Sequence, residues 1–270
     1  MNNDSPMKAI LVVLLVALVC SSLVSAAVVI LRPIQLNNQL LDQSRNIMQL
    51  TGLLPEETKT SDDEMLSLFK SLDARIVEID VAEFDPDMDP YTFDNRRASN
   101  KPELSVAIPT ELDTSGLGRR SRYTPVYLVW QDENFERIIL PMYGNGMWSM
   151  LYGYIALGPD LNTIADAVFY EQNETPGLGD QVTGPEWLAQ WQGKRIYDER
   201  GETRFAVAGG RVDPQSSAAE FEVDALTGAT VTADAVTALV HYWFGPHGYQ
   251  PFLDRLRKDS PGMPETGGDS

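Results

Sequence analysis

The chain has 270 residues, a formal net charge of −18 and 43% hydrophobic residues, room for one membrane segment and one folded domain with its own core. That acidity argues against nucleic acid and anionic lipid surfaces as partners. The single cysteine, Cys20, lies in an apolar N-terminal run, and the only histidines are His241 and His247; the remainder has no disulfide, no thiolate ligand for zinc or iron–sulfur chemistry and no multi-histidine metal site. Any redox chemistry has to come from a bound organic cofactor.

Ala9–Leu31 carries no charge and, at about 1.5 Å per residue, is long enough for a hydrocarbon core of roughly 30 Å. It predicts a transmembrane helix behind a short cytoplasmic tail, residues 1–8. A cleaved signal peptide ending at Val24-Ser25-Ala26 is the competing reading, but the apolar run continues through Ala27–Leu31. A lipoprotein site at Cys20 has Val19 where a small residue belongs. Lys8 and Arg32 nearly balance across the span, and the short N-terminal tail favours N-in with the rest exported.

Residues 32–72 are expected to form a helical stalk and linker. Ile34, Leu41, Met48 and Leu36, Leu40, Ile47 recur at helical spacing among amides, which suggests a surface helix resting on the membrane or the domain. Ser61-Asp62-Asp63-Glu64 is a capping box that opens a short helix through Leu72. Arg75–Val81 alternates with period two and predicts a strand. Asp85–Lys101 and Asp113–Arg122 are polar excursions. Pro125–Gln131, Arg137–Pro141, Met150–Leu157 and Ile164–Glu171 are closely spaced β-branched or aromatic runs, which implies antiparallel pairing. Pro185–Gln192 predicts a helix with Trp187, Leu188 and Trp191 on one face, and Thr203–Ala208 a further strand before Gly209-Gly210. The expected fold of residues 73–257 is α+β, an antiparallel sheet with flanking helices, preceded by one N-terminal transmembrane helix. Residues 258–270 are expected to be a disordered tail.

The most informative run is Asp224-Ala225-Leu226-Thr227-Gly228-Ala229-Thr230-Val231-Thr232. It precedes a helix whose Val236, Leu239, Val240, Trp243 and Phe244 share one face. Helix physics alone suggests a capped N-terminus with Thr230 or Thr232 as N-cap and Asp234 in the first turn. A threonine there also points its hydroxyl and the free N–H groups at one place, which favours a phosphate. No P-loop lysine follows the glycine. His241 and His247 have no acid or nucleophile at a telling spacing and are expected to be structural.

Asp-x-x-Thr-Gly-Ala-Thr resembles the flavinylation motif of the covalent FMN-binding domain family. Gly144-Asn145-Gly146-Met147-Trp148-Ser149 and Glu174-Thr175-Pro176-Gly177-Leu178-Gly179 look like that family's flavin-pocket loops, in the same order. With an N-terminal span, the ensemble resembles the FMN-bearing, single-span subunit family of Na+-translocating NADH–quinone reductases. The resemblance implies FMN esterified through its phosphate to Thr230, with Trp148, Thr175, Leu178, Gly179, Leu226, Thr227, Gly228 and Ala229 around the cofactor. It implies a separate flavin transferase that uses Mg2+ and FAD, for which Asp224 would be a recognition or metal-approach residue; a solvated turn aspartate is the plainer reading. No residue of the chain is expected to be catalytic alone or to hold a resident metal.

The function so implied is an electron relay in the bacterial inner membrane, single-pass with a periplasmic main domain, working between other membrane and flavin or iron–sulfur subunits. Two alternatives stay open on sequence: the FMN-bearing subunit of the related ion-pumping ferredoxin–NAD+ oxidoreductase complex, and a non-redox membrane-anchored binding module whose Thr-Gly-Ala-Thr merely caps a helix. The stalk and the long Asp80–Leu117 segment favour the quinone reductase.

Overall fold

The computed structural model describes residues 6–54 and 60–259; from residue 260 on, the expected tail lies outside them. Helix α1 runs without interruption over Pro6–Thr51, through Pro33. Its first half is exposed on every side, and it is the one helix among the described residues long and apolar enough to cross a membrane. Its last three turns behave differently. Ile47, Met48 and Leu50 are fully buried, so the stalk does not rest on the domain surface as expected but supplies part of its core. Arg137 Nη1 donates to Leu50 O at 2.9 Å and holds the C-terminal end of α1 against the sheet.

Ser61 caps α2 (Asp62–Lys70), its hydroxyl accepting from Glu64 N–H, as the capping box predicts. Then follow β1 (Asp73–Glu78), β2 (Glu83–Asp85), the short α3 (Asn95–Ser99), β3 (Ser105–Ala107) and β4 (Arg119–Ser121). The two polar excursions and their flanks thus hold a helix and short strands that their composition hides. The long strands are β5 (Tyr123–Gln131), β6 (Asn134–Asn145), β7 (Met150–Leu157) and β8 (Ile164–Glu171). The chain closes with α4 (Pro185–Leu188), β9 (Ala206–Val207), β10 (Glu222–Val223), α5 (Thr230–Trp243) and α6 (Gln250–Asp259). The expected single terminal helix is therefore two, separated by Gly245-Pro246-His247-Gly248.

The main sheet has the order β2-β1-β5-β6-β7-β8, antiparallel at every step. Strand β6 outruns the expected end at Pro141. Its pairing with β5 stops at Ile139, so Pro141 stands where β6 has become an edge on that side and has no ladder donor to lose.

Alternation divides the core between the two faces. Val126, Leu128, Ile138, Leu140, Ile155 and Phe169 pack against α5, α6 and the aromatic segment around Trp187 and Trp191. Tyr127, Val129, Ile139, Tyr154 and Ala156 pack against α1 and α2. On this second face a cleft of about 960 Å³ opens between Gln35–Asn46 of α1 and Tyr143, Tyr152, Tyr170 and Glu171. Because Leu50 contacts Arg137 at one end of β6 and residues 35–46 lie beside Tyr143 at the other, the tip of the β6–β7 hairpin points the way α1 leaves the domain.

Candidate functional site

Three segments distant in sequence meet at that hairpin end of the sheet. The first is the tip itself, closed by Gly146 N–H donating to Ser149 O at 2.7 Å. The second is the segment after β8, residues 172–179. The third is the loop from Leu226 into the first turn of α5. Their link is Glu174, 5% exposed. Its Oε1 accepts from the N–H of Trp148 at 3.0 Å and of Ser149 at 3.3 Å. Its Oε2 accepts from Met147 N–H at 3.2 Å and from the Thr232 hydroxyl at 2.7 Å. A Cβ on Gly146 would lie 2.6 Å from Glu174 Oε1, and one on Gly179 would lie 2.7 Å from Thr232 Oγ1 and 2.8 Å from Glu174 Cβ. The glycines at these two positions are what lets the carboxylate approach the loops so closely.

The entry to α5 departs from the expected cap. Thr230 is the first helical residue and the N-cap is Ala229, with φ −130°, ψ 49° and no side-chain cap. Thr232, the other candidate, gives its hydroxyl to Glu174 and not to a helix-capping bond. Asp234 lies beyond the first turn, which holds no acidic residue. A helix start without a side-chain cap keeps the partial positive charge of its leading N–H groups, about half an elementary charge, on offer to an external anion. Thr230 itself is exposed, so its hydroxyl stands at that position.

Around it lies an apolar rim in the open. Trp148 is 68% exposed, Val231 53%, Met147 49% and Leu178 41%. Trp148 is therefore neither a core residue nor a covered rim residue but a free indole face. Gly228 has φ +75°, and a Cβ there would lie 2.8 Å from Leu178 Cδ2; the Thr227-Gly228 turn and Leu178 are thus neighbours, and the turn requires glycine. Gln181 Nε2 fixes the same contact by donating to Leu178 O at 2.8 Å and Thr227 O at 3.2 Å.

The other expected residues separate by burial. Thr175 and Thr227 are at the surface, Gly179 is buried against Glu174 and Thr232, and Leu226 and Ala229 turn their side chains into the main core, so only their backbones reach the site. Asp224 is half-buried and not a freely solvated turn residue. Its Oδ1 accepts from Val212 N–H at 2.8 Å, its N–H donates to Gln190 and its carbonyl accepts from Trp187 Nε1, a set of bonds that anchors the loop leading to Thr230. Sequence reasoning treats Glu174 only as the first residue of its loop, and leaves Met147 and Val231 without roles. His241 Nε2 lies 2.8 Å from Phe205 O and His247 is exposed at the α5–α6 turn; neither is near the three segments.

These residues fit FMN. A flat apolar ring system matches the uncovered Trp148, Met147, Leu178 and Val231, and a phosphate monoester matches an N-terminus that carries a threonine hydroxyl and no first-turn carboxylate. Among the described residues no group of three or more His, Cys, Asp or Glu side chains could hold a metal ion.

Comparison with known proteins bears on the same residues. Residues 146–245 match the family model described as FMN-binding domain. The chain is 43% identical over 258 residues to the C subunit of the Na(+)-translocating NADH-quinone reductase of Pseudomonas aeruginosa, covering 95% of this chain and 98% of that protein. It is 39% identical to the corresponding C subunit of Neisseria meningitidis serogroup B, covering 95% and 96%. The crystal structure of Shewanella oneidensis NqrC superposes with a TM-score of 0.74 at 32% identity, over 82% of this chain and 99% of that one. Sequence, cofactor-binding region and fold agree, and the chain belongs to the NqrC family, the C subunits of the Na(+)-translocating NADH-quinone reductase, an oxidoreductase complex.

Proposed function

We propose that Thr230 carries FMN as a phosphoester and that the chain is a membrane-anchored electron relay within its reductase complex. The observation that carries this reading is the entry to α5, where an exposed threonine hydroxyl occupies a helix start without a side-chain cap inside a ring of exposed apolar side chains. During maturation Thr230 Oγ would take the FMN phosphoryl group from FAD on a separate Mg2+-dependent transferase, with AMP leaving and the hydroxyl proton passing to solvent. Asp224 would then present the loop to that enzyme through its backbone contacts.

In the mature protein the leading N–H groups of α5 would hold the phosphate, each favourable dipole contact worth roughly 0.3–1 kcal/mol. Trp148 and Leu178 would flank the ring and exclude water from it, while Thr175, Thr227 and the backbone of Gly228 would line the ribityl side. The flavin supplies reversible uptake and release of electrons, chemistry that no side chain here offers. Ala9–Leu31 would anchor the domain in the bacterial inner membrane, with residues 1–8 cytoplasmic and the main domain periplasmic. The site lies at the end of the sheet toward which α1 leaves the domain, so the anchor would hold it facing membrane partners at high effective concentration. The related ferredoxin–NAD+ complex is not favoured, since the relatives compared above carry the quinone reductase name.

Coexpression with a flavin transferase should give a chain that fluoresces in a denaturing gel, and Thr230→Ala should abolish the signal. A reporter fused after Ser270 should be active only outside the cytoplasm. Purified alone, the protein should be bleached by dithionite but should not oxidise NADH. A cytoplasmic reporter signal or direct reduction by NADH at a useful rate would overturn the relay.

A further inference from the structure

Resting on the flavin reading of Thr230, a second inference concerns a residue to which the flavinylation motif gives no role. Glu174 is buried, yet the four donors that converge on it are neutral: the N–H groups of Met147, Trp148 and Ser149, and the hydroxyl of Thr232. Three backbone N–H groups and a hydroxyl converge on its two oxygens, a set of donors that suits a carboxylate, whose oxygens are acceptors only. Successive backbone N–H groups turned onto one anion form a nest. Here the nest belongs to the hairpin tip that carries Trp148, and its anion comes from the neighbouring loop. The fourth donor stands two residues after Thr230, on the first turn of α5. Asn173 N–H adds a further tie by donating to Ser149 Oγ at 2.8 Å, and Glu174 N–H donates to its neighbour Gln172 Oε1 at 2.5 Å. Neutral donors solvate a charge without cancelling it, so one negative charge persists beside the apolar rim in a poorly screened setting.

We propose that Glu174 is the positioning residue of the flavin site: its carboxylate fixes the hairpin tip, and with it Trp148, against the first turn of α5, and its charge holds down the reduction potential of the flavin placed there. The sign follows from electrostatics. Adding an electron to a ring beside a fixed negative charge is opposed, so removing the charge raises the potential. The tie is equally specific. A glutamine in place of Glu174 has one acceptor oxygen, and its NH2 group would face N–H donors.

The experiment uses the full chain in detergent with three sequences: wild type, Glu174→Gln and Thr232→Val. In the flavin-free protein, amide hydrogen exchange should accelerate at least tenfold at residues 147–149 in Glu174→Gln and stay unchanged in β5–β8, which also establishes that the variant folds. In the flavin-loaded protein, Glu174→Gln should raise the midpoint potential by roughly tenfold in the reduction equilibrium, about 59 mV for a one-electron couple. Thr232→Val keeps the charge and loses one donor, so it should alter the visible circular dichroism of the flavin with a much smaller change in potential. Faster exchange at the tip without a change in potential would reduce Glu174 to a structural brace and overturn the proposal, as would unchanged exchange. If Glu174→Gln folds but takes up no flavin, positioning is supported; a Thr232→Val spectrum identical to wild type would then overturn it. A wild-type chain that takes up no covalent flavin would overturn the underlying reading instead, a result distinct from a loaded wild type matched by its variants.

Discussion

Two regions of this molecule leave large apolar side chains in the open, and they do so in opposite ways. In the first half of α1, the consecutive residues Leu11, Val12, Val13 and Leu14, which point to all sides of the helix, are all exposed. Nothing there selects a face, a pattern that would suit a solvent as apolar as the helix itself. Around Thr230 the exposed residues are few, one-sided and mounted on rigid elements: a hairpin tip, a turn stiffened by Gln181, and a helix start. Free polar groups, the Thr230 hydroxyl and the helix N–H groups, sit among them. Lipid has no use for such groups, whereas a ligand with a flat ring and an anionic end does. An apolar surface alone does not identify its partner; the geometry of the polar groups within it does.

Removing the first region should have the most visible consequence. A chain beginning at Arg32 should pass from the membrane pellet to the soluble fraction and should still be labelled at Thr230 by purified flavin transferase with FAD and Mg2+. Loss of labelling with the anchor would mean that the two regions are not independent. A smaller effect is expected at Gly228. Its φ of +75° costs a β-branched residue about 1–2 kcal/mol, and the added Cβ would push on Leu178, so Gly228→Val should cut the labelling yield several-fold while leaving the thermal midpoint of the sheet nearly in place. Full labelling in Gly228→Val would detach that turn from the site.

The subtlest test concerns the rim. Because Trp148 and Leu178 are exposed, Trp148→Ala and Leu178→Ala should change the stability of the flavin-free protein by no more than about 0.5 kcal/mol. Each should nevertheless weaken the hold on the ring by roughly 1.5–3 kcal/mol, seen as brighter flavin fluorescence and easier quenching by iodide with the ester intact. A large loss of stability without any change in fluorescence would return both residues to an ordinary packing role.

Legibility from sequence follows the kind of signal each feature carries. Strands β5, β7 and β8 are visible because their alternation and aromatic content are local, and the Ser61 cap because its partner Glu64 is three residues away. Strand β6 is misjudged beyond Pro141 because the tolerance of that proline depends on where a neighbouring strand stops. The burial of Ile47, Met48 and Leu50 is hidden because a helix face gives no sign of whether a sheet will meet it. At the site, the Thr230 motif is short and contiguous and so can be recognised. Ala229 as an N-cap has no side-chain signature at all. The role of Glu174 depends on three backbone amides and on a hydroxyl 58 residues further along, contacts that only the fold creates.

Everything proposed for the site turns on one hydroxyl at one helix start holding the cofactor. Peptide mapping by mass spectrometry, on the chain purified from cells that express a flavin transferase, locates that bond without any intermediate inference. The fragment containing Asp224–Thr232 should be heavier by one esterified FMN, with fragmentation placing the added mass on Thr230. An unmodified fragment, or the mass placed on Thr227 or Thr232, would show that the cofactor is held elsewhere or not at all.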